Sequence, residues 1–207
     1  SGAKIRKKAN MIDDDELMEI FDKITNHTKY LSQTIDDFRN FFTKNEIRRS
    51  FEINPIINQA ISLTEATYKN NDIEVIISNK NDSLVCNGNE GELSQVIMNL
   101  LNNSKDVLVE NETEQKLVLI EVEKNEDNII INYYDSGKGI KEDIINKVFE
   151  PYFTTKHKAK GTGIGLFMSK EIIDNHFNGT IMVSNKEFSV NSQNYFGACF
   201  TIKIPFV

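Results

Sequence analysis

The sequence predicts an α+β fold, a two-layer α/β sandwich preceded by a long stem helix. Three observations predict it. Apolar residues recur in steps of four and three from Leu17 to Phe42, and neither proline nor glycine interrupts Asp13 to Asn45; that is a heptad seam on one helix. Beyond it, strand-like and helix-like stretches come in groups, which favours segregated layers over a doubly wound sheet. Two apolar runs, Leu117 to Val122 and Asn128 to Tyr134, flank the polar turn Lys124-Asn125-Glu126-Asp127, a hairpin pattern.

The elements follow in order. The seam is Leu17, Phe21, Ile24, Thr28, Leu31, Ile35, Phe38 and Phe42, with Thr28 its one polar member. The acidic run Asp13 to Glu16 suits a helix N-terminus, so the helix covers about residues 13–45, and Lys4 to Asn10 could end an earlier one. A strict seam is narrower than the face a helix usually packs on its own domain, which favours a bundle stem. Residues 1–47 are therefore read as stem and 48–207 as a second folded domain. Asn54-Pro55 reads as an N-cap and a first-turn proline, opening a helix to about Lys69. Ile73 to Ile77 and Leu84 to Cys86 read as strands. Asn89 caps the next helix, with Glu92 placed to close a capping box, and that helix runs to about Val109. After the hairpin, a long loop from Asp135 to Thr162 encloses a short helix near Lys141 to Val148. A helix over about Ile164 to His176 and two strands finish the chain.

Composition bounds the function. The chain has 207 residues, 39% hydrophobic and 27% charged, enough apolar content for a packed core. Its net charge of -7 argues against a general nucleic-acid or anionic-membrane surface, so any phosphate site must be local. No apolar run approaches the roughly 18 residues that span a bilayer. Cys86 and Cys199 are the only cysteines, too few for a disulfide framework, and a cytoplasmic location is expected.

Three segments carry chemistry. Asp135-Ser136-Gly137-Lys138-Gly139-Ile140 ends a strand on a carboxylate and leaves through two glycines. Such an acid can accept a hydrogen bond from an exocyclic amine, and glycine allows close backbone approach to a ligand. Taken alone, the same pattern serves as an ordinary strand exit. Gly161-Thr162-Gly163-Ile164-Gly165-Leu166 places three alternating glycines before an apolar helix, and its backbone N–H groups suit a polyphosphate. The spacing is neither a dinucleotide fingerprint nor a Walker loop. It follows Lys156, His157, Lys158 and Lys160, a basic cluster in an acidic chain. On the Asn89 helix, Gln95, Asn99, Asn103 and Asp106 share one face, while Leu100, Leu101 and Val107 bury the other. The amide oxygen of Asn103 could serve a hard cation such as Mg2+.

Taken together and in this order, ELSQVIMNLLNNSKDVL, DSGKGI, FEPYFTTK, GTGIGLFMSK and GACFTIKIP resemble the N, G1, F and G2 boxes and last strand of the sensor histidine kinase ATP-binding domain, a Bergerat-type fold. The resemblance spans about Phe51 to Val207, and YLSQTIDDFRNFF resembles the second helix of that family's dimerisation stem. It implies a mixed sheet backed by three helices, with ATP between the helical layer and a lid that nucleotide orders. It implies Asp135 as the adenine-binding acid, with Gly137, Gly139 and Ile140 in the adenine-side loop. Asn103 corresponds to the Mg2+ ligand, with Asn99 and Asp106 on the same face. Lys156, Lys160, Gly161, Thr162, Gly163, Ile164, Gly165 and Leu166 fall on the phosphate side, Phe149 and Phe153 match the F-box anchors, and Thr201 matches a further adenine contact. Implied partners are ATP or ADP, a stem helix carrying an acceptor histidine, a response regulator receiver domain, and a second copy through the stem.

Two features sharpen the expected activity, transfer of the ATP γ-phosphate to a histidine. Related ATPases carry a water-activating glutamate where this chain has Asn99, and an amide cannot act as a general base. That disfavours a rapid ATPase, and the stem disfavours a stemless serine kinase of the same superfamily. His27 lacks the acid and the later proline of the acceptor motif, while His157 and His176 lie in the lid and a later helix. The chain is therefore expected to lack its own acceptor. A nucleotide-sensing module without transfer is the alternative.

Overall fold

The computed structural model describes residues 15–22, 24, 25, 28, 48–79, 83–156 and 161–206. The chain divides into two compact units, Ser1–Lys44 with Thr154–Thr162, and Asn45–Phe153 with Gly163–Val207.

In the first unit, residues 15–22, 24, 25 and 28 are helical. Of the seam, Phe21 and Ile24 are exposed, and the Thr28 hydroxyl donates to the Ile24 carbonyl at 2.9 Å. The seam positions beyond Thr28, and His27, lie outside the described residues.

The second unit holds eleven elements among the described residues: β1 (Arg49–Glu52), α1 (Ile53–Lys69), β2 (Ile73–Asn79), β3 (Val85–Gly88), α2 (Glu90–Glu110), β4 (Lys116–Lys124), β5 (Asn128–Asp135), α3 (Glu142–Ile145), α4 (Gly165–Glu171), β6 (Thr180–Val190) and β7 (Gln193–Pro205). A single π turn, Ile172–His176, continues α4. One sheet has the order β2-β4-β5-β7-β6 and is mixed, β2 running parallel to β4 and every other pair antiparallel. Parallel neighbours need a crossover. Here α2 provides it. A separate antiparallel ribbon joins β1 to β3, which the expectation of one sheet did not include.

The core lies between this sheet and α1, α2 and α4. Strand alternation sends Val118, Ile120 and Val122 of β4, Ile129, Ile131 and Tyr133 of β5, and Phe200, Ile202 and Ile204 of β7 to the helical side. Leu93, Val96, Ile97, Leu100, Leu101 and Leu108 of α2 meet them. Val107 is only half-buried, so the reading that it seals the buried side of α2 is corrected: Leu108 takes that place. Tyr68 of α1 donates its hydroxyl to the Leu101 carbonyl at 2.8 Å and so ties two helices together. The opposite sheet face carries a smaller cluster of Leu117, Leu119, Tyr134, Phe188 and Cys199.

One of the two expected helix caps is absent and the other is present. α1 begins at Ile53, so Asn54 is inside the helix and caps nothing. The fully buried Ile53 donates its N–H to the Leu84 carbonyl at 2.9 Å, which satisfies the first N–H of the helix without a side chain. At α2 the Asn89 cap is present, its Oδ1 accepting from Gly91 N at 2.7 Å and Glu92 N at 3.3 Å. The Glu92 carboxylate reaches across to His176 Nδ1 at 2.7 Å, joining the start of α2 to the π turn.

Candidate functional site

The site grows from the end of β5. Asp135 pairs in register with Val118, so its side chain points to the helical side, and it is 5% exposed. Its Oδ1 accepts from Gly137 N at 2.9 Å, its Oδ2 accepts from the Ser104 hydroxyl of α2 at 3.2 Å, and the Ala198 N–H of β7 also donates to the carboxylate. Burial raises its pKa above the ordinary 3.8, although all three donors pull it down. A carboxylate confined in this way can present acceptor capacity to a base amine, with its orientation already fixed.

The chain after Asp135 is anchored residue by residue. Ser136 turns away: its hydroxyl donates to the Gln115 carbonyl at 2.8 Å and accepts from Leu117 N at 2.9 Å. Gly137 is buried, and its carbonyl accepts from Asn111 Nδ2 at 2.8 Å. Gly139 takes φ +77°, a left-handed conformation that glycine adopts without steric cost. Ile140 packs against the core and hydrogen-bonds to Asn185. A cavity of about 620 Å³ is lined by Ser136, Lys138, Gln193, Tyr195 and their neighbours, but by none of the expected site residues.

On α2, Asn99, Asn103 and Asp106 are all half-buried along one face. Asn99 Nδ2 donates to the Gly165 carbonyl at 3.1 Å and contacts the Ser169 hydroxyl at 3.2 Å, so this amide docks α4 onto α2. Asp106 forms an ion pair with Lys105. On the α4 side, Gly163 has φ +65°, and a Cβ there would lie 2.5 Å from Tyr152 C and 2.6 Å from Phe153 O. The loop returns against the backbone of the F-box segment at this point. Ile164 is buried and Leu166 packs on the core, so their side chains hold the helix and only backbone remains for a ligand.

The second unit thus brings together Asp135, Gly137, Gly139 and Ile140 at one strand end, and Asn99, Gly163, Ile164, Gly165 and Leu166 where α4 meets α2. Asn103 and Asp106 lie along α2 between Asn99 and the end of the helix. Lys156, Gly161 and Thr162 belong to the first unit, where Gly161 lies against Thr154 and Lys156. Lys160, with His157 and Lys158, lies outside the described residues. Thr201 is corrected. It pairs with Asn132, whose Oδ1 accepts its hydroxyl at 2.8 Å, on the face opposite to Asp135. Alternation around it, with Phe200 and Ile202 in the core, carried that signal. Ser104, Asn111, Asn185 and Ala198 are the contacts missed, each set by a partner distant in sequence.

Known proteins resemble this chain in sequence and in fold. A family model described as "Histidine kinase-, DNA gyrase B-, and HSP90-like ATPase" matches residues 88–207. Sporulation kinase A of Bacillus subtilis is 32% identical over 162 residues, a match covering 78% of this chain and 24% of that protein. Among solved structures, the nucleotide-free catalytic domain of histidine kinase ThkA superposes with a TM-score of 0.64 at 26% identity, covering 77% of this chain and 98% of that one. ThkA in complex with the response regulator TrrA has the same fold, with a TM-score of 0.73 at 23% identity, covering 100% of this chain and 56% of that one.

Proposed function

Because the chain belongs to the histidine kinase-, DNA gyrase B- and HSP90-like ATPase family, we propose that it is the ATP-binding catalytic part of a two-component sensor kinase, donating the γ-phosphate of Mg-ATP to a histidine on a stem helix. The observation that carries this reading is the Asp135 carboxylate, buried and fixed by three donors against the helix that bears Asn99 and Asn103.

Asp135 accepts the exocyclic amine of adenine, and the Gly137 to Ile140 loop lies along the base. Asn103 offers one neutral oxygen on a half-buried helix face, a donor that fits Mg2+ in a site where phosphate and water supply the remaining ligands. When bound, the ion neutralises charge on the phosphates during transfer. Asn99 is an amide whose nitrogen is committed to α4, and it cannot take a proton from water. The site therefore suits holding ATP for an imidazole nucleophile over hydrolysing it. His176 is paired with Glu92, which gives it a structural role. The exposed seam residues Phe21 and Ile24 suit burial by another stem helix, and so a dimer. A response regulator receiver domain is the proposed downstream acceptor, by likeness to the ThkA complex. No helix among the described residues is long and apolar enough to cross a membrane, and we place this part of the protein in the cytoplasm.

Calorimetry with ADP and Mg2+ tests the site. Asp135→Asn should cost about 1.5–3 kcal/mol, the range for a hydrogen bond to a charged group. Unchanged affinity would remove Asp135 from the site. Incubation with radiolabelled ATP tests the reaction: the chain alone should stay unlabelled, while an added stem bearing an acceptor histidine gains acid-labile phosphate. Label on this chain that disappears in His27→Gln would overturn the assignment, and no transfer to the stem would favour a nucleotide-sensing module.

A further inference from the structure

Asn185 sits on β6 opposite Ala198, on the same side of the sheet as Ile181 and Val183 and thus on the side of Asp135. Its side chain makes two short hydrogen bonds to a single residue of the loop. Ile140 N donates to Asn185 Oδ1 at 2.7 Å, and Asn185 Nδ2 donates to the Ile140 carbonyl at 2.7 Å. A side-chain amide that satisfies both main-chain groups of one residue does what a neighbouring strand would do. Ile140 lies beyond the end of β5, where the sheet offers it no such strand.

The fit depends on Gly139. A Cβ at that position would fall 2.6 Å from Asn185 Oδ1 and 3.2 Å from Phe196 Cε1, on a backbone already at φ +77°. The Asp135 to Ile140 segment is therefore held at both ends: Asp135 by Gly137, Ser104 and Ala198, and Ile140 by Asn185. Between them lie Gly137 and Gly139, whose backbones are permissive, so without the second anchor the loop would populate other conformations.

We propose that Asn185 is a positioning residue for nucleotide binding, clamping Ile140 so that the Gly137 to Gly139 backbone is already shaped to receive the base. The proposal rests on the reading that this loop holds adenine. When only a fraction of molecules has the competent loop, the apparent Kd rises by the inverse of that fraction.

The test uses this chain with Asn185→Ala, which removes both bonds, and Asn185→Asp, which keeps the size and the acceptor but loses the donated bond. Calorimetry with ADP and Mg2+ well below each melting temperature should show Kd raised about tenfold for Asn185→Ala, and raised also for Asn185→Asp. Hydrogen exchange at the Ile140 amide should become fast in Asn185→Ala while amides in β4 and β5 stay protected. Displacement of a fluorescent ADP should show a narrower preference for ADP over GDP, a ratio that loss of global stability alone would not move. ADP affinity within twofold of wild type in either folded variant would overturn the proposal, as would an Ile140 amide that stays protected in Asn185→Ala. Asp135→Asn, run alongside, separates the two levels: if it binds ADP like wild type, the base-site reading fails and takes this proposal with it; if it binds weakly while both Asn185 variants bind normally, only the clamp fails.

Discussion

At the scale of single residues, the proposed role of Asp135 sets stability against function. Its unfolded carboxyl titrates near the ordinary 3.8, and its folded pKa lies higher because burial outweighs the donors from Gly137, Ser104 and Ala198. Between those two values the unfolded chain has released a proton that the native state keeps, so this group's contribution to stability declines as pH rises through that window. Above it the full burial penalty is present. Asp135→Asn should therefore raise the thermal midpoint of the nucleotide-free domain at pH 7 while weakening ADP binding; a lower midpoint in scanning calorimetry would show that the hydrogen bonds outweigh burial. Strong acceptance of the base amine requires the carboxylate, so ADP affinity should fall on acidification at a higher pH than an ordinary carboxyl would give. Ser104→Ala removes one of the donors that lower this pKa and should move that loss to a still higher pH, measurable as Kd across a pH series. The position of Asp135, at a strand end before two glycines, was legible in the sequence. Ser104 was not, because its role needs α2 laid against β5. Cys86 is simpler: burial pushes its thiol up to about 12, so it should resist alkylation at pH 8 in the folded chain.

At the scale of elements, three alternating glycines that look equivalent in sequence have different duties. Gly163 combines φ +65° with a backbone closer than any Cβ tolerates, whereas a Cβ on Gly165 would meet Asn99 at an ordinary 3.7 Å. Gly163→Ala should destabilise the domain by about 1–3 kcal/mol, the scale of backbone strain. Gly165→Ala should change stability by less than about 0.5 kcal/mol, the usual span for a substitution without a steric conflict. Urea unfolding of both variants checks the contrast, and equal losses would contradict it. The α2 start shows the complementary case. Asn89 was readable as a cap because capping is local, and Asn89→Ala should cost about 1 kcal/mol in the same assay. The expected Asn54 cap failed because the buried Ile53 and the Leu84 carbonyl, a contact across thirty-one positions, fix where α1 begins.

At the scale of the whole molecule, the proposed nucleotide site is shared between β5, α2 and α4, so binding there should stabilise the fold. Ligand at 100 times its Kd should add about 2.7 kcal/mol of stability, by mass action alone. A melting midpoint that does not rise with ADP and Mg2+ would mean that no such site is formed. The sequence by itself determined the layered α+β class and the order of the elements from α1 onward, because apolar period and turn chemistry act over a few residues. Only the tertiary structure decided the pairing of β1 with β3, the clamp of Asn185 on Ile140, the docking of α4 by Asn99, and the face on which Thr201 lies. Those outcomes depend on register between strands far apart in the chain, where a shift of one residue turns every side chain to the other face.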